Sequence, residues 1–172
     1  MFFKQLRSLT LQKNITLILK SRVKNFKSSK VKTMGVIFDY EAYHDYDFFR
    51  ALVNDFGLGY NNIQFISMIG MEKDKPNSWD AFFSMESFDW LGRPKSAEID
   101  EFTHKPFDVL ISYYKSNKLE LNLITAQSKA NFKIGLSNDD PRLHDFTLDI
   151  EPKDTDIFKT ELTKYLTQLN RL

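Results

Sequence analysis

A series of short apolar runs, each closed by polar or turn-forming residues and separated from the next by helical periodicity, limits the fold more than any other feature. MGVIFD (34–39), NIQFISMIG (62–70), FDVLISYY (107–114), NFKIGL (131–136) and FTLDIE (146–151) are continuous instead of alternating, as in strands covered on both faces. Between the first two, Asp45 or Asp47 caps a segment in which Phe48, Phe49, Leu52, Val53 and Phe56 recur at helical spacing, and Gly57 to Gly59 stops it. Strand, helix and strand in this succession read as a parallel crossover. Ser96 caps a helix carrying Ile99 and Phe102. LELNLITAQSKA is a further helix, and the last helix, from about Asp154 to Arg171, puts Phe158, Leu162, Tyr165, Leu166 and Leu169 on one side. The expected fold is α/β: a mixed or mostly parallel sheet of about five strands with helices on both faces, in a Rossmann or flavodoxin-like layout. Residues 72–96 read as irregular, with Phe82, Phe83, Met85, Phe88 and Trp90 roofing a core.

Charge divides the chain. Residues 1–38 hold nine Lys or Arg and no Asp or Glu, so of the 24 basic and 23 acidic residues the remainder keeps 15 and 23, a balance of −8. At about 100° per residue, Leu11, Ile15, Ile18, Leu19, Val23 and Phe26 fall on one side of a helix over roughly residues 11–27. Lys13, Lys20, Lys24 and Lys27 gather opposite them. Phe2, Phe3, Leu6 and Leu9 point elsewhere and suit a separate short turn, and Ser28-Ser29 ends the helix. The division expected is a basic amphipathic arm, 1–33, followed by a single α/β domain, 34–172.

Chemistry is thin. The chain has no cysteine, which removes disulfides, thiolate metal sites and cysteine nucleophiles and suits a cytoplasmic location. The best N-terminal apolar run is cut by Lys20 and Arg22, so no membrane span and no secretory signal is expected. Asp39 closes the first strand, where doubly wound sheets collect ligands, and with Glu41 and His44 it forms a weak ligand-site candidate. Glu41 and His44 have the i, i+3 spacing of bundle metal sites, but only once, so no metal is assigned. The GLG at 57–59 precedes a strand, the reverse of a phosphate-binding turn, and there is no P-loop or nucleophile elbow. No cofactor and no catalytic residue is assigned.

Taken in order, MGVIFDY, WLGRPKS, FDVLISYY, SKANFKIGL and DFTLDIE resemble an uncharacterised family of short Bacteroidota proteins, a domain of unknown function. The resemblance covers nearly the whole chain and implies one intact domain, with no activity to transfer. A looser likeness, FDVLI followed by ANFKIGL, is to a half-domain of heptosyltransferase-type enzymes and implies only a strand-helix-strand layout.

The leading functional expectation is a non-enzymatic cytoplasmic binding protein whose Lys13, Lys20, Lys24, Lys27, Lys30 and Lys32 contact RNA, ribosomal RNA foremost. The alternatives are peripheral association with an anionic membrane, with Leu11, Ile15, Ile18, Leu19 and Phe26 in the interface, and a small-molecule or phosphate-handling enzyme built around Asp39. The sequence leaves open whether the lysines face a partner or the acidic body.

Overall fold

The computed structural model of the chain describes residues 2–24, 30–77, 80–136 and 140–172, apart from the side chains of Phe2 and Lys4. Its elements are α1 (Phe2–Ser21), β1 (Met34–Asp39), α2 (Tyr46–Asp55), β2 (Ile63–Met68), β3 (Ala81–Phe83) and α3 (Ala97–His104). There follow β4 (Val109–Tyr113), α4 (Leu119–Gln127), β5 (Lys133–Gly135), β6 (Phe146–Thr147) and α5 (Thr155–Gln168).

The continuous apolar runs are strands because they are covered twice. All residues of β1 and β4 are buried. Odd and even positions feed two cores. Ile37, Ile66 and Leu110 pack with α1, α3 and α4, whereas Val36, Phe38, Val109 and Ile111 pack with α2 and α5. Among the described residues every strand pairing within the sheet is parallel. The strand order is β3-β2-β1-β4-β5-β6, the order of the doubly wound dinucleotide-binding folds and not that of flavodoxins. The chain reverses its direction of winding between β1 and β4.

Two expectations about elements are corrected. The stretch read as irregular contains a strand, Ala81–Phe83, which pairs with Ile66–Met68 at the edge and brings the sheet to six strands among the described residues. At three residues it is too short for periodicity to reveal it. And α1 is one continuous helix from Phe2, with no separate turn, ending at Ser21 instead of near Ser28. It stops there because Arg22 leaves the helix to meet Asp145 and the carbonyl oxygens of Arg142 and Leu143. Phe26 and Lys27, assigned to that helix, lie outside the described residues. The other caps fall where expected: the side chain of Asp45 accepts from the amide of Phe48, that of Ser96 from the amide of Ile99, and Gly57, at φ 72°, follows α2.

Candidate functional site

The inner face of α1 is core. Leu11, Ile15 and Leu19 are buried in the same cluster as Leu121, Leu123 and Ile124 of α4. The Met85–Pro94 loop is clasped by the same helix: Arg7 donates to the carbonyls of Met85 and Phe88, and Asn14 to that of Leu91. Leu11 also packs on Gly92, where a Cβ would lie 2.9 Å from its Cδ2 and φ is 76°, so glycine is required twice over.

The far end of α1 is fixed by a buried ion pair. Asp145, its side chain 2% exposed, takes Arg22 at 2.5 Å and accepts from the Lys133 amide at 2.9 Å. Lys24 stands 3.8 Å from the same carboxylate and donates to the His144 carbonyl, and Lys30 donates to the Leu172 carbonyl. Of the basic residues of this segment, Arg7, Arg22, Lys24 and Lys30 thus bond to their own body.

Beneath this joint, Lys133 is buried with Nζ donating to the carbonyls of Thr125 and Ala126 at the end of α4. Burial, helped by the charge of Arg22 and opposed by Asp145, pushes its pKa down to about 7. An unfolded lysine titrates near 10.4, so between these values the unfolded chain holds a proton that the folded chain lacks, and stability rises with pH. Urea unfolding from pH 7 to about 9.5 is expected to show that rise, with a slope of at most about 1.4 kcal/mol per pH unit. Lys133→Met flattens it; the same slope in both proteins would refute the assignment.

The outer face of α1 is exposed and apolar as well. Phe3, Leu6, Thr10, Lys13, Leu17 and Lys20 succeed one another at three- and four-residue steps, with Leu9 beside them. Phe3 is 72% exposed, Leu6 47%, Leu9 63% and Leu17 55%. Lys13, Lys20 and Lys32 are exposed, and among the described residues no carboxylate forms a salt bridge with their ammonium groups, although the Lys32 amide donates to Asp108. Trp90 and Leu91, on the loop that Arg7 and Asn14 hold, are about half exposed. Sequence spacing groups the first set correctly around a second side of the helix, but it does not tell which of two apolar sides is buried.

At the carboxyl ends of β1 and β4, the residues set aside from sequence do converge in part. Asp39, 2% exposed, accepts from Ser116 at 2.6 Å and from Lys118, whose Nζ lies 2.9 Å from Oδ2. Burial opposes the Lys118 charge, but the hydrogen bond and charge of Asp39, with Glu41, outweigh it and raise its pKa. Glu41 turns to Lys118, at 3.5 Å, and lies against Gly70. His44 instead folds back to stack on Tyr40 at 4.1 Å, with Nδ1 2.6 Å from the Tyr40 carbonyl oxygen. Among the described residues no three His, Asp or Glu form a metal-binding group. Alongside, Tyr43, Tyr46 and Tyr113 pack around Phe38. Ser116 and Lys118 lie in a polar loop after β4 that carries no motif, so nothing in the sequence pairs them with Asp39. Clefts of about 340, 260 and 430 Å³ lie elsewhere: one beside Arg50 and Phe65, two flanking Ile18 and Lys129.

A family model described as Family of unknown function (DUF6913) matches residues 7–169. The chain belongs to this family. Its match runs through α1 and the sheet alike, from the arginine that clasps the Met85–Pro94 loop to the last turn beyond α5. No curated protein and no solved structure matches the chain. No described helix is long and apolar enough to cross a membrane.

Proposed function

We propose that the protein is a non-enzymatic binding module that holds an anionic partner against the outward side of α1. One observation carries the reading: Lys13 and Lys20 stand on the exposed face of a helix whose other face is locked into the core, within a segment, 1–38, that has no acidic residue. A rigidly seated helix presents charge without a further ordering cost. Lys32, exposed just before β1, adds to the charge of the same acid-free segment; Lys24 and Lys30 also bond to the body, and Lys27 lies outside the described residues. RNA, the ribosome's in particular, is one partner that would answer this charge, and an anionic membrane surface is another. The strand-end alternative is the weaker one, because Asp39 is already held by Ser116 and Lys118 and none of the three clefts reaches it.

The test is charge reversal. Lys13→Glu, Lys20→Glu and Lys32→Glu together are expected to abolish salt-sensitive retention on immobilised RNA or on acidic vesicles, whichever the native protein shows. On nucleic acid the salt slope should fall by about 0.7 to 0.9 per lysine. Retention unchanged on both supports would overturn the reading.

A further inference from the structure

We infer that the partner of the α1 face is the surface of an anionic lipid bilayer, bound through Leu6, Leu9 and Leu17 together with Lys13 and Lys20 on the same face. This rests on the reading of α1 as the docking face and names its occupant.

The decisive point is the interleaving. Charge by itself would suit RNA, but Leu6, Leu9 and Leu17 are 47%, 63% and 55% exposed on the same face as the two lysines. Aliphatic side chains neither stack on bases nor bond to phosphate, and on this face three leucines stand against one aromatic side chain, Phe3, whereas RNA-binding surfaces rely on aromatic and basic side chains. A second copy of the chain fits no better: a two-fold contact across this face would bring its lysines together with no acid in residues 1–38 to meet them. Lipid satisfies both kinds of side chain at once, with leucines at the acyl boundary and ammonium groups among acidic headgroups.

The neighbouring loop agrees. Trp90 and Leu91, 50% and 48% exposed, stand beside the helix on a loop tied to it by Arg7 and Asn14. Tryptophan is a residue of the membrane interface, one end apolar and the other wet. Of the loop's two acids, Glu86 is exposed, while Asp89 accepts from the amides of Arg93 and Leu91 and pairs with the Arg93 guanidinium, which keep its carboxyl below the usual range. The apolar residues first suited to a membrane, Leu11, Ile15 and Leu19, are core, so α1 binds with its opposite side and need not leave the body.

The experiment uses the full chain and vesicles of phosphatidylcholine with or without phosphatidylserine. The protein is expected to sediment with the acidic vesicles only, and Leu6→Ser/Leu9→Ser/Leu17→Ser to stay in the supernatant with an unchanged melting temperature. Neutralising either lysine, Lys13→Gln or Lys20→Gln, should weaken partition about fivefold, the equivalent of about 1 kcal/mol per basic residue. In a Trp79→Phe background Trp90 is the sole tryptophan, and its emission should shift to the blue on acidic vesicles alone. Sedimentation unaffected by the serine substitutions overturns the inference. So does native protein that ignores acidic vesicles but is retained on RNA through Lys13 and Lys20, a result that leaves the docking face standing and removes only its lipid occupant.

Discussion

Asp145→Ala is expected to destabilise the protein by about 3–5 kcal/mol, the cost of breaking a buried ion pair from one side. The carboxylate is 2% exposed and Arg22 12%, so neither partner is well solvated once the other is gone. The Lys133 amide loses its acceptor as well, in a strand only three residues long. Asp145→Asn keeps an acceptor for that amide but not the charge, and should fall between the two. Equilibrium urea unfolding measures both. A loss under about 1 kcal/mol for alanine is the value of a solvent-screened surface pair and would mean that the joint is not closed in solution.

Deleting residues 1–24 is expected to leave no cooperatively folded body. Burial of Leu11, Ile15 and Leu19 is worth about 1.5–3 kcal/mol for each side chain, roughly 5–9 together, against a net stability of about 5–15 for a domain. The deletion also uncovers the partners of these side chains on α4 and removes the Arg7, Asn14 and Arg22 hydrogen bonds. Near-ultraviolet circular dichroism should be lost while dye binding to apolar surface appears. A sharp transition at the native midpoint would instead establish residues 25–172 as an independent unit.

Much of the body is legible because its strands are covered twice. A parallel strand buried on both faces must be apolar at every position, so MGVIFD coincides with β1, residue for residue. The caps at Asp45 and Ser96 are equally readable, since an orphan amide needs a side-chain acceptor nearby in sequence. What escapes is non-local. Ala81–Phe83 is a strand only because Ile66–Met68 lies beside it. Asp39 meets Lys118 across the sheet, a pairing that no spacing encodes. On α1 the pattern is ambiguous for a plain reason: Leu11, Ile15 and Leu19 make one apolar stripe, Leu6, Leu9 and Leu17 another, and only the complementary surface of α4 decides which one is inside.

That helix also fixes an order of events during synthesis. Its seat on α4 and its anchor at Asp145 are made of residues translated more than a hundred positions later. At about 5–20 residues per second, α1 waits on the order of ten seconds for them. Throughout that interval the inner leucine stripe lacks the α4 side chains that complete its cover. A nascent chain of this kind is open to capture by any apolar surface within reach until α4 arrives to claim one stripe and leave the other.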